Sequence, residues 1–491
     1  MVCSHFTTEE DRFSASQVCR HWRGALISSP FLWTRLSCHY ISRTIVSLER
    51  CKSIPIQLEL DQQSSNVALE SVLLSKNKIS SLAIHHGFDG MESLPRLLTF
   101  SRMSVERLHI YSNNLRGWRD EDQTPHGIWQ NFPSLRELFV CRYSIPIDQV
   151  TAPNLTHLAL EQAAYHRNVT VQLILDMVRG YPLLETLLIT NLGVRQNPTH
   201  DHSPVPLPRL RSIELGAHEV GSGLITHLQF PANAAVGFRM LPSSDVCGDI
   251  PLEIAAAMQH VLRRVDIHSI TLAVPPYFQR VEGLLVRFEG LEGSLELTIH
   301  GLHTDARLWD VFFGPSGVLF SHSPCIENVR ELHIAGCPFE DRRGMDHVNA
   351  AMPNLVSVSF FDCEGPHLFE LLAPAGPWSP PFPYLERVMF LGWGSDLRGM
   401  AKMRRDHGVP LKTLVVGRPP RGIEHDLKDF TALEEFNYDH PEEYTVLEEF
   451  VQDLRVGCPT EILEWGTESE VLNVWSAGGI PGPVSPNVEL G

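Results

Sequence analysis

LRELFV (Leu135–Val140), LTHLAL (Leu155–Leu160) and LETLLI (Leu184–Ile189) state one phrase three times: apolar-x-x-apolar-x-apolar. It recurs as ISSLAI from Ile79, VERLHI from Val105 and LRSIEL from Leu210. After a gap it resumes as VRELHI from Val329, LVSVSF from Leu355, LERVMF from Leu385 and LKTLVV from Leu411, with LEEFNY from Leu433 as a last member. Within each series the starts lie 20–30 residues apart, and many copies are introduced by proline. The alternation at the end of each phrase predicts a short strand with one buried face.

Helical stretches separate the phrases. In NVTVQLILDMVRGYP, Val171, Ile174, Leu175 and Val178 fall at i, i+3, i+4 and i+7, and Gly180 can stop the helix. A strand-helix unit repeated at a period of about 20–29 residues reads as a leucine-rich repeat, whose copies stack parallel strands on one side and helices on the other. The expected fold is therefore an α/β, leucine-rich-repeat-like solenoid over residues 61–465, with helices on the outer side. Asn113, Cys337 and Cys363 complete an L-x-x-L-x-L-x-x-[NC] pattern, an inward position that satisfies loop backbone. Between Gly216 and Asn328 the same alternation is expected with degraded motifs. DIPLEIAAAMQHVLRRV and PYFQRVEGLLVRF read as helices there, HSITLAV and SLELTIHG as strands. EEYTVLEEFVQDL from Glu442 reads as a helix burying Val446, Leu447 and Phe450, and the Gly- and Pro-rich tail 466–491 as disordered. Loops are expected from Arg116, Asn191 and Cys363.

The chain has 491 residues, 43% of them hydrophobic and 20% charged, and no apolar run approaches the length of a membrane span. MVCSHFTTEEDRF has acidic residues and no apolar signal core, so a cytoplasmic or nuclear address is expected, without membrane attachment. A formal charge of −18 opposes a phosphate backbone and argues against nucleic acid as a partner. No CxxC pair occurs among the ten cysteines, which are expected to be reduced thiols.

Near the start stands QVCRHWRGALISSPFLWTRL (Gln17–Leu36). Ser14 and Gln17 form a capping-box signature, and Val18, Trp22, Ala25 and Leu26 then make one helical stripe. Ser28-Ser29-Pro30 breaks it, and Pro30 opens a short second piece bearing Phe31, Leu32, Trp33 and Leu36. Ile41, Ile45 and Leu48 mark another helix, and IPIQLEL (Ile54–Leu60) a strand, so residues 39–60 connect the cap to the repeats. Trp22 and Trp33 fit either the core of a small module or contacts with a partner.

This stretch resembles the C-terminal half of an F-box, whose pattern holds V-C-[RK]-x-W and then S-P-x-L-W. The matching residues are Val18, Cys19, Arg20, Trp22, Ser29, Pro30, Leu32 and Trp33. The adjoining YISRTIVSLERCKSIPIQLEL (Tyr40–Leu60) resembles the corresponding passage of fungal F-box proteins with divergent leucine-rich repeats. Family members open the box with a Leu-Pro-x-E segment leading into a first helix; the sixteen residues before Gln17 hold no Leu-Pro, so residues 1–38 are expected to form only a partial, F-box-like cap lacking that helix. The resemblance implies a substrate-recognition subunit of a Skp-cullin-F-box ubiquitin ligase. The cap would dock a Skp-type adaptor through Val18, Trp22, Leu26, Pro30, Leu32 and Trp33. The alternative is a non-catalytic repeat scaffold that has lost adaptor binding.

No catalytic site is expected. The chain lacks G-x-S-x-G, HExxH, the phosphate-binding G-x-x-x-x-G-K-[ST] and G-x-G-x-x-G. Twenty-four histidines, including HGLH from His300, HHG from His85 and THDH from Thr199, lack paired metal-ligand spacing, so neither metal nor cofactor is expected. A protein target would instead meet the strand positions pointing away from the core: Arg107, His109, Glu137, Phe139, His157, Glu331, His333, Arg387 and Met389.

Overall fold

The computed structural model describes residues 9–75, 78–85, 94–101, 104–111, 132–142, 149–161, 169–192, 203–216, 223–240, 260–262, 267–273, 283–290, 294–300, 326–335, 348–349, 351–361, 372, 382–391, 397–417, 447 and 449–457. It is an α/β protein built on large parallel sheets, and it divides into two compact units, Met1–Pro231 and Ala232–Gly491.

The first unit begins with α1 (Glu9–Val18), α2 (Arg20–Ile27) and a 3-10 turn (Pro30–Trp33), followed by β1 (Arg35–Leu36) and α3 (Ile41–Cys51). Then come β2 (Ile56–Leu60), α4 (Asn66–Leu74), β3 (Ile79–Ile84), α5 (Leu94–Ser101), β4 (Arg107–Tyr111), β5 (Glu137–Cys141), β6 (His157–Glu161), α6 (Val171–Arg179), β7 (Thr186–Thr190), β8 (Val205–Pro206), β9 (Ser212–Gly216) and β10 (Leu228–Gln229). Each of β1 to β6 pairs in parallel with the next, and β7 pairs with β9, so along this sheet the strands follow sequence order with β8 left out. A separate parallel pair joins β8 to β10.

The repeated phrase explains this regularity. Before each of β5, β6, β7 and β9, the first apolar residue of the phrase donates its N–H to a carbonyl three residues back: Leu135 to Phe132, Leu155 to Ala152, Leu184 to Tyr181 and Leu210 to Leu207, at 3.0–3.2 Å. Proline holds the second position of each turn, where its fixed φ suits the geometry. The next two apolar residues face inward; Leu108 and Ile110, Leu158 and Leu160, and Ile213 and Leu215 are all buried. Burying each contributes about 1.5–3 kcal/mol. Helix α6 buries Val171, Ile174, Leu175 and Val178 and ends at Gly180, as its spacing predicts.

Three local expectations change. Val18, Trp22, Ala25 and Leu26 do not form one stripe: Cys19 is extended (φ −159°, ψ 169°) and caps α2, so the helix breaks there and only Leu26 is buried. The cap has a helix ahead of that break, since α1 runs from Glu9 rather than starting after Ser14. In α3 the buried residues are Thr44, Ser47 and Cys51, whereas Ile41 and Ile45 are exposed. Thr44 can be buried because its hydroxyl donates to the Tyr40 carbonyl at 3.0 Å.

The second unit contains β11 (Ala235–Met240), β12 (Ile267–Ala273), β13 (Gly283–Gly290), β14 (Ser294–His300), β15 (Glu331–Ala335), β16 (Ser357–Phe361), β17 (Arg387–Leu391), α7 (Leu397–Asp406), β18 (Thr413–Gly417) and β19 (Asp453–Gly457). Its sheet runs β11-β14-β13-β12-β15-β16-β17-β18-β19. The uniform alternation expected between Gly216 and Asn328 is corrected here, because β13 is antiparallel to both β12 and β14. PYFQRVEGLLVRF ends in that strand and not in a helix: buried Val286 and Phe288 alternate with half-exposed Arg287 and Glu289. The segment from Glu442 likewise ends as a strand, β19, after buried Leu447 and Phe450, and β19 pairs directly with β18. LEEFNY, the tail from residue 466, and Asn113, Cys337 and Cys363 lie outside the described residues, as does most of each of the three loops.

Among the described residues no helix is long and apolar enough to cross a membrane, and no group of three or more His, Cys, Asp or Glu could hold a metal ion.

Candidate functional site

The N-terminal helices are built around Trp33, which is fully buried. Its Nε1–H donates to the Leu26 carbonyl at 2.9 Å, Phe13 meets it edge-on at 5.3 Å, and the Arg50 guanidinium lies 4.2 Å from its ring centroid. Burial lowers the Arg50 pKa. Arg12, also buried, donates to the carbonyls of Leu32 (2.5 Å) and Arg35 (2.8 Å), tying α1 to the 3-10 turn. Of the six residues expected to meet an adaptor, Leu26 and Trp33 are therefore core, and their side chains offer no surface. Trp22, Pro30 and Leu32 are half-buried, and Val18 is 70% exposed. Phe31, absent from that set of six, is 76% exposed. It occupies the variable position of S-P-x-L-W, and the 3-10 turn leaves it outside while burying Trp33.

On the first sheet, parallel register lines up Arg107, Glu137, His157 and Thr186 in one row and His109, Phe139 and Ala159 in the next. Tyr111 and Cys141 continue a third row. His85 stacks on Tyr111 (5.1 Å, 6° between planes), Tyr111 meets Phe139 at 4.8 Å, and His109 lies edge-on to Phe139 at 5.9 Å. Carboxylates flank these rings. His85 Nε2 is 3.1 Å from Glu59 Oε1, and His109 Nε2 is 3.9 Å from Glu137 Oε2. The His85 contact holds the Glu59 carboxyl below its ordinary value, helped by Arg35 at 3.4 Å. His109 does the same for Glu137, with Arg107 and His157 adding positive charge. Arg107, His109, Glu137 and His157 thus gather on one face. Phe139 is corrected from exposed to buried, because Tyr111 and His109 enclose its ring. Glu59, His85 and Tyr111 belong to the same face; the alternation of Gln57 and Glu59 with Ile56, Leu58 and Leu60 was the signal for the first of them.

Lowered carboxyl values in the fold fix the sign of an acid effect. As pH falls through the window between the ordinary carboxylate value and the lower folded values of Glu59 and Glu137, the unfolded chain binds more protons, so the first unit loses stability. Urea midpoints at about pH 6 and about pH 3.5 should differ less in Glu59→Gln/Glu137→Gln than in the wild type. An equal loss in both proteins would remove these pairs as the source.

On the second sheet, Glu331, His333, Arg387 and Met389 also share a face, in rows Glu331–Ser357–Arg387 and His333–Ser359–Met389. Arg387 is exposed and Glu331 half-exposed, but His333 and Met389 are buried, which corrects their expected place at the surface. Period two assigns a residue to a face without saying what covers that face.

No protein-family model matches this chain, and no curated protein is similar to it.

Proposed function

We propose that this chain is the substrate-recognition subunit of a Skp-cullin-F-box ubiquitin ligase, an F-box-like helical cap followed by a leucine-rich-repeat-like solenoid. The cap docks on the Skp-type adaptor, and the strand face holds a protein target for ubiquitin transfer by associated enzymes, so the chain itself does no chemistry. The observation that carries this reading is the exposure of Val18 and Phe31 on a module whose own core is already filled by Trp33, Leu26 and Phe13. Large apolar side chains that the module's own core leaves outside are suited to anchor a partner. The solenoid reading is supported by strands that pair in sequence order, with β5, β6, β7 and β9 each introduced by the same proline turn.

The test is titration calorimetry of the full chain with purified Skp-type adaptor. Binding should weaken by about tenfold or more in Val18→Asp and in Phe31→Asp, with melting temperatures unchanged. If the wild type forms no complex, the ligase reading falls and the chain is a repeat scaffold without adaptor binding.

A further inference from the structure

We propose that helix α2 is itself a docking element, and that the partner surface covering it is acidic. The inference rests on the adaptor-docking reading and adds the chemistry that the partner's face must have. From Phe13 to Leu48 the sequence holds no Asp or Glu, yet it holds Arg20, Arg23, Arg35 and Arg43, in a chain whose formal charge is −18. A protein that is acidic as a whole keeps this stretch purely positive.

Two of the four arginines are answered within the fold. Arg35 pairs with Glu59 and Arg43 with Glu10, both at 3.4 Å. Arg20 and Arg23 are exposed on α2, and no carboxylate among the described residues pairs with either. Arg23 Nε donates to the Ser16 carbonyl at 3.0 Å, which steadies the side chain and leaves its charge uncompensated. Burial pulls the Arg50 pKa down, and Arg23 adds to that pull against the opposite effect of Glu49. The carboxylates of α1, Glu10 and Asp11, stand about two helical turns ahead of the break at Cys19 where α2 begins.

Helix α2 is also poorly supported by its own protein. Of its eight residues only Leu26 is buried. Arg20, Arg23, Gly24 and Ile27 fall at i, i+3, i+4 and i+7, and all four are exposed. A Cβ added at Gly24 would meet nothing within 4 Å, so the middle of that side is open. A helix this short draws its stability from packing rather than from propensity, and Gly24 weakens the propensity further. Ile27 on the open side, with Val18 ahead of the helix and Phe31 after it, supplies apolar anchors beside unpaired cations. An apolar surface edged with Asp or Glu complements that arrangement, and a basic one is repelled by it. An anionic bilayer carries the same sign of charge but suits α2 less, because a membrane-surface helix needs a continuous apolar face and Leu26 is turned inward.

Calorimetry of the full chain with purified Skp-type adaptor, at about 50 mM and about 300 mM NaCl, tests this. The dissociation constant should rise about fivefold or more with salt. Arg20→Glu/Arg23→Gln should weaken binding about tenfold or more at the lower salt and flatten the salt dependence; Gln keeps a donor for the Ser16 carbonyl. Arg209→Glu/Arg211→Gln, an equal change of charge just before β9, should leave the affinity within about twofold. Hydrogen exchange of α2 amides should slow on adding adaptor, and that of α6 amides should not. Equal affinity at both salts and in both variants overturns the proposal and leaves adaptor docking standing, whereas absence of any complex overturns both. Cosedimentation of the wild type, but not of Arg20→Glu/Arg23→Gln, with vesicles holding about 30% phosphatidylserine also overturns it, because the acidic surface is then a bilayer.

Discussion

Trp33→Ala should lower the stability of the first unit by about 3–5 kcal/mol, the usual cost of removing a large buried aromatic. Trp33 fills the small space where α1, α2, the 3-10 turn and α3 meet, and Phe13 and Arg50 both pack on its ring. Alanine leaves a cavity lined by those groups and frees the Leu26 carbonyl, which otherwise accepts from the indole at 2.9 Å. Trp33→Phe restores much of the volume without the donor, so it should cost only about 1–2 kcal/mol beyond its smaller size. Urea unfolding followed by near-UV circular dichroism separates the two. A Trp33→Ala protein as stable as the wild type would show that the N-terminal helices are not organised by this residue. If the proposed adaptor docking holds, Trp33→Ala should abolish it through loss of the fold, whereas Val18→Asp should abolish it with the fold intact.

Arg404→Met should destabilise the second unit by about 2–4 kcal/mol, because it removes three hydrogen bonds from a charged donor to buried carbonyls. Arg404 lies on α7 and is fully buried. Its Nη1 donates to the Leu372 carbonyl at 3.2 Å, and its Nη2 donates to those of Phe382 (3.0 Å) and Leu385 (3.3 Å). Phe382 and Leu385 bound the proline turn that introduces β17, so one guanidinium fixes a helix to the start of a strand. Burial pulls its pKa down to about 10, still far enough above neutrality to keep the charge. Methionine matches the length and supplies no donor. Arg404→Lys keeps a charge but not the planar fork, and should fall between the two. Hydrogen exchange at β17 amides should accelerate more than at β12 amides; equal acceleration, or none, would contradict the clamp.

Most strands were legible because one short phrase carries both halves of the local instruction. Leu135, Leu155 and Leu184 end a turn, and the two apolar positions after each define the inner face. ISSLAI is itself strand β3, and the other phrases among the described residues begin two residues ahead of their strands. The direction of β13 was not legible. Val281, Leu284, Leu285 and Phe288 satisfy helical spacing, while Val286 and Phe288 satisfy strand spacing, and only pairing with β12 and β14 decides between them. In the cap, the pattern of apolar residues identified Trp33 and Leu26 but could not tell core from surface. That choice was made by Arg12, Phe13 and Arg50, which lie outside the matched motif.

The proline turns bear on how such a chain can change over generations. Each turn resets the path of the backbone immediately before β5, β6, β7 and β9, and the strand after it pairs in parallel with the strand of the preceding phrase. An inserted residue in a connecting segment is absorbed before the next turn and moves no side chain across the sheet. Copies can therefore drift to spacings anywhere from 20 to 30 residues while their pairing stays in step. New loops can be tried beside the strand face at little cost to the ladder that supports it.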